Sequence, residues 1–171
     1  MGFPGAGFGW SSKIAEANRA DLAGQELRRQ HRDLEAGEKY EQAYLLRLSV
    51  LGEDSRDVAF TLSAAGQCFA IGGEPLRGLD LLRRALPVLE ARLGPVNSSV
   101  AATLYAMSGA EYQLGKLDEA ESHERRSLDI FRKVPPSDVG FANGLAAGRQ
   151  LHSPGDVNYI APLLSGVVVV G

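Results

Sequence analysis

The sequence predicts an all-α protein, a short array of antiparallel helix pairs. Three observations carry this reading. From about residue 12 to Val134 the chain is dominated by Ala, Leu, Glu and Arg, and apolar residues recur at spacings of three and four. Leu79, Leu82, Leu86, Leu89 and Leu93 are an example, and such spacing lines one face of a helix. Breaks recur as well: Ala36-Gly37, Gly72-Gly73 and Leu114-Gly115 each divide two helical runs. Leu51-Gly52, Leu93-Gly94 and Val134-Pro135 close the second run of each pair. Finally, the chain matches itself when shifted by about 42 residues, a length usual for helical repeats. "LGEDSRDVAFTLSAAGQCFAIGG" falls on "LGPVNSSVAATLYAMSGAEYQLG" without a gap, placing Leu62 on Leu104 and Gly73 on Gly115.

Taken in order, residues 1–11 form a glycine- and aromatic-rich flexible lead-in, and Ser11 or Ser12 caps a helix from Lys13. Residues 12–134 make about three helix pairs, with caps offered by Ser55 or Asp57, Ser98 or Ser99, and then Ser137. Gly115 supplies the left-handed backbone that ends a helix. Ala120 lies where the second helix crosses the first, and Gly78 and Ala43 are assigned the same small-residue slot. On that assignment the first copy is shorter, because Ala43 precedes Val58 by 15 residues and Gly78 precedes Val100 by 22. The missing seven residues are close to two helical turns. Residues 135–151 can form a capping helix, weakened by Gly140, Gly144 and Gly148. Residues 152–171 read as an irregular tail that contains the strand-like run "GVVVV".

Several function classes fall away at this level. The formal charge of −3 and pI near 5.6 come without a basic stripe, so no nucleic-acid partner is expected. No segment reads as a signal peptide or as a membrane span, and the expectation is a soluble cytoplasmic protein with no membrane partner. "HERRS" at His123 lacks the second histidine of a zinc-protease helix. His31, His123 and His152 are scattered, and the glycines of "GFPGAGFGW" lack the Lys-Ser/Thr of a phosphate loop. No metal, cofactor or catalytic group is assigned, and no enzyme is expected. Cys68 reads as a small core residue. Ser127 reads as buried in a slot shared with Ala85, and Asn97 as a helix cap.

The run "LGPVNSSVAATLYAMSGAEYQLGKLDEA", Leu93 to Ala120, resembles the tetratricopeptide repeat family, and more narrowly the long repeats of kinesin light chains. The resemblance covers about Leu27 to Val134. It implies a right-handed superhelical α-solenoid whose first helices line a concave groove, a non-catalytic scaffold binding a protein or peptide. Where kinesin light chains carry paired asparagines, this chain has Ser63 and Ala64, then Tyr105 and Ala106, so clamping by asparagine is not expected. By family spacing the groove presents Phe60, Ser63, Gln67, Ala70 and Ile71, then Ala102, Tyr105, Gly109, Tyr112 and Gln113. None is charged, so the expected groove is largely uncharged, and Arg28 and Arg32 are the only candidates for an anion contact. The alternative is a structural or oligomerising module whose groove is filled by its own tail or by a second copy.

Overall fold

The computed structural model describes residues 6–134, and side chains from residue 9 onward. Six helices follow one another: α1 (Ala6–Arg29), α2 (Asp33–Leu51), α3 (Arg56–Ile71), α4 (Pro75–Leu93), α5 (Ser98–Gln113) and α6 (Leu117–Phe131). No strand occurs among the described residues. Consecutive helices pack as the pairs α1–α2, α3–α4 and α5–α6, and the pairs stack through α2–α3, α4–α5 and α3–α5 contacts. The first helix of each pair is called helix A below, the second helix B.

The period is 42 residues throughout. α2 and α4 are each 19 residues long, and α3 and α5 each 16. The turn between A and B carries one left-handed residue in every pair: His31 (φ 56°), Gly73 (φ 96°) and Gly115 (φ 72°). A histidine there is uncommon but tolerated, and it hides the turn from a reading that looks for glycine.

The first pair therefore corrects the sequence reading. Ala36-Gly37 is no break; it lies inside α2, and Arg32 is that helix's N-cap residue. Gly37 is needed there because the Phe69 ring comes within 2.9 Å of where a Cβ would stand. The first copy is also full length. Ala36, not Ala43, shares the slot of Gly78 and Ala120, while Ala43 is the counterpart of Ala85 and Ser127; all six are buried. The helix α1 begins at Ala6, so residues 6–11 are helical, and Ser11 and Ser12 lie within the helix instead of capping it. The expected capping helix over 135–151, Ser137, His152 and the tail over 152–171 lie outside the described residues.

Packing within a pair is tightest at the small residues. A Cβ on Gly78 would stand 2.6 Å from the Gly66 carbonyl oxygen and 2.7 Å from the Ala70 nitrogen, so α3 and α4 touch backbone to backbone. In the third pair Ser108 and Ala120 take these two places, both with no exposed surface. Leu62 and Leu104 are buried in one continuous core with Val58, Phe69, Leu89 and Val100. Each such side chain contributes roughly 1.5–3 kcal/mol through burial. Asn97 caps α5, its Oδ1 accepting from the Ser99 backbone N–H at 2.9 Å. Pro87 lies on the exposed face of α4, where water can reach the Arg83 carbonyl that proline leaves unbonded.

Candidate functional site

A cavity of about 690 Å³ opens between the A helices α1 and α3, with α2 behind it. Ile14, Asn18, Asp21 and Gln25 line one wall, at the three- and four-residue spacing of a single helix face. Asp57, Phe60, Thr61 and Ala64 line the other, and Tyr40 and Arg47 reach in from α2. Phe60 remains 36% exposed, a large ring at the edge of a polar cleft.

Arg47 organises this site. Its guanidinium forms an ion pair with Asp21, donates to Asn18 Oδ1 at 2.9 Å and donates to Thr61 Oγ1. Thr61 in turn donates to the Asp57 carbonyl at 2.8 Å. The arginine and aspartate side chains are only 12% and 22% exposed, so solvent weakens the pair less than it does a surface pair. Asp57 is exposed and accepts from Arg56 Nε at 3.4 Å in an ion pair open to solvent. Asp21 is thus paired with Arg47 inside the cleft, and Asp57 with Arg56 at its exposed edge, next to the Phe60 ring.

The residues named from the sequence do not all meet here. Phe60 does. Ser63 is buried on the other flank of α3, where its hydroxyl shares a 2.9 Å hydrogen bond with Thr103 of α5. Gln67 donates to Ser63 Oγ at 3.3 Å and Ile71 is half-buried. Tyr105 is 4% exposed, Tyr112 donates its hydroxyl to Glu124 Oε2 at 3.1 Å, and Gln113 donates to the Ala70 carbonyl at 3.2 Å. Arg28 is half-buried near Tyr40 and does not line the cavity. Arg32 is exposed, with Glu35 holding its guanidinium. The charged members of the cleft, Asp21, Arg47 and Asp57, are hidden in the sequence, because Arg47 sits on a B helix and Ala36-Gly37 imitates a break that shifts the first pair by seven residues. The 42-residue shift would have revealed it: Arg47 stands where Leu89 stands in the second pair.

A second polar cluster lies in the third pair. Glu111 has no exposed surface; His123 Nδ1 lies 2.7 Å from its Oε2, and Arg83 donates to its Oε1 at 3.3 Å. Glu124 is 6% exposed and occupies the position of Tyr40 and Leu82 in the earlier pairs. Its Oε1 is buried without a hydrogen-bond partner. Burial pushes its carboxyl up to about 7, and nearby Glu121 adds to the shift, while the Tyr112 hydroxyl opposes it. Burial likewise pushes the Cys68 thiol up to about 12, which leaves it protonated and poorly nucleophilic near neutral pH. Ser127 is fully buried and donates to the Ala101 carbonyl at 2.7 Å. Among the described residues no group of three His, Cys, Asp or Glu side chains is placed to hold a metal, and no helix is long and apolar enough to cross a membrane.

Stacked antiparallel helix pairs of fixed period, with a cleft running between first helices, define an α-solenoid of the helical-repeat class. Residues 71–133 match the tetratricopeptide repeat family model, and that stretch is similar to the family. The matched stretch runs from the end of α3 through α6, and the 42-residue register carries the same architecture back through α1. No curated protein matches the chain. Tetratricopeptide repeats generally mediate protein–protein interaction through the extended surface that their stacking creates.

Proposed function

We propose that the chain is a non-catalytic scaffold that holds an extended segment of a partner protein in the cleft between α1 and α3. The observation that carries this reading is the open cavity of about 690 Å³, walled by one face of each A helix and kept polar by Arg47. The exposed Asn18 and Gln25 amides offer the donors and acceptors that a peptide backbone needs. Phe60 offers a flat apolar contact with few torsions to freeze. The Asp57 carboxylate, held by Arg56 only in a solvent-screened pair, can exchange that partner for a cation in the bound segment.

A displayed library of random peptides, selected against the full chain, tests the proposal. Selected sequences should carry Lys or Arg close to an apolar residue. Their affinity should fall at least tenfold in Phe60→Ala and in Asp57→Lys, and hold in Leu76→Ala, whose side chain is exposed on a B helix. Peptides that bind Phe60→Ala and Asp57→Lys as well as the parent would place the binding surface elsewhere.

A further inference from the structure

The two seams between B helices carry their charges differently. Between α4 and α6, Arg126 forms an ion pair with Glu90. One period earlier, between α2 and α4, the same two places hold Arg84 and Leu48. Arg84 therefore lacks the carboxylate that its counterpart has. It donates to the Tyr44 hydroxyl at 2.6 Å and lies 5.6 Å from that ring's centroid, with no ion pair among the described residues. The acids of this seam stand in the loop instead. Glu53 and Asp54, both exposed, take the places that Pro95 and Val96 hold one period on. Arg92 of α4 holds that loop through its backbone, donating from Nε to the Asp54 carbonyl at 2.8 Å.

A cavity of about 250 Å³ has Arg84, Glu53 and Asp54 all in its wall. Its floor is apolar: Val58, Ala59 and Leu62 of α3 are buried, and Leu48 and Val88 beside them are half-buried. The volume is below the roughly 300–1,000 Å³ of small-molecule pockets, and suits a side chain of a partner. We infer that this groove takes a helix of a partner protein that presents an acidic, an apolar and a basic side chain on one face at one-turn spacing. The acid pairs with Arg84, the apolar side chain covers the floor, and the base meets Glu53 and Asp54. The lengths agree. Arg84, Val88 and Arg92 follow one another at one-turn spacing on α4, so Arg84 and the loop held by Arg92 are two turns apart, roughly 11 Å. Positions i, i+4 and i+7 of a partner helix span about the same distance on one face. The charges set the direction in which that helix lies, and the apolar contact supplies the burial.

The test titrates the full chain with a helical peptide of about 16 residues, built on Ala and Gln and carrying Glu, Leu and Lys at i, i+4 and i+7. The Arg84 Nε–H resonance and the backbone amides of Glu53 and Asp54 report on binding. Saturable shifts at all three are expected, and a peptide with Gln in place of the Glu and the Lys should bind at least tenfold more weakly. Arg84→Gln should lower the affinity for the charged peptide at least tenfold. Leu48→Glu should do the same, because it supplies within the chain the carboxylate that Glu90 supplies one period on. Arg84 is exposed, so Arg84→Gln keeps the fold and decides the matter even if Leu48→Glu does not fold. Absence of saturable shifts, equal binding of the neutral peptide, or unchanged affinity in Arg84→Gln would overturn the proposal. So would a concentration-dependent dimer of the parent that Arg84→Gln abolishes, which would give the groove to a second copy. Phe60→Ala should bind this peptide as the parent does, so this reading and peptide binding between α1 and α3 fail separately.

Discussion

The two flanks of α3 are built from equivalent positions of the same repeat, yet one faces a cavity and the other is bridged by direct hydrogen bonds. Toward α5, Ser63 meets Thr103 directly at 2.9 Å, and Gln113 reaches across to the Ala70 carbonyl. One period earlier, the matching residues toward α1 are Asp21 and Thr61, and Arg47 stands between them, bonded to both. The match of Gln113 is Ile71, which has no donor to reach α1. A longer bridge and a missing cross-link thus hold the α1–α3 cleft wider than its neighbour. The repeat fixes the scaffold, and three side chains decide which gap becomes a site.

Transplanting the wedge should have the largest effect. Leu89 has no exposed surface, and Leu89→Arg would bury a charge facing Ser63 instead of a carboxylate. A loss of at least about 4 kcal/mol in chemical denaturation is expected. Adding Ser63→Asp should recover part of that loss, because it restores the pair found around Arg47. No recovery would mean that the wedge is not a portable feature.

The reverse exchange, Arg47→Leu, should cost about 2–3 kcal/mol, because it leaves Asp21 partly buried without its cation. It should also abolish peptide binding, whereas Leu89→Met should leave binding intact. An Arg47→Leu chain that binds as the parent does would show that the cleft stays open without the wedge.

A pH profile compares the ends of the array. Glu124 is governed by burial, which raises its folded pKa from 4.5 to about 7. A proton held more tightly in the folded chain stabilises the fold while it is bound. That contribution is therefore complete below about pH 4.5 and is lost as the pH rises to about 7. The change is on the order of 3 kcal/mol. Melting curves of the parent between pH 4.5 and 7.5 should show the fall, and Glu124→Gln should not.

The smallest expected effect lies in the caps of α3 and α5. Asn97 holds the Ser99 N–H, whereas Ser55 makes no side-chain cap bond at the same place one repeat earlier. Asn97→Ala should cost about 1 kcal/mol and Ser55→Ala far less. Equal costs in urea titrations would show that the cap bond does not distinguish the two helices.

How far the sequence could be read follows the same division. The second and third pairs were legible because Leu62 and Leu104, Gly73 and Gly115, and Gly78 and Ala120 repeat in kind as well as in register. The first pair was not, because His31 takes the left-handed turn without being a glycine, and Gly37 imitates a break while making room for Phe69. Of the cleft only Phe60 was anticipated. The rest depends on Arg47 crossing from a B helix to join two A helices, a contact between elements that no single-helix pattern reports. Tyr105 and Tyr112 look like groove aromatics on spacing alone; one is buried, and the other is tied to Glu124.

The most direct measurement is an amide-resonance titration of the full chain with a selected peptide. Shifts concentrated in residues 14–25 and 57–64, with Arg47 moving alongside them, are the predicted result. Shifts confined to α5 and α6, or spread along the B helices with residues 14–25 unmoved, would contradict the assignment of the cleft.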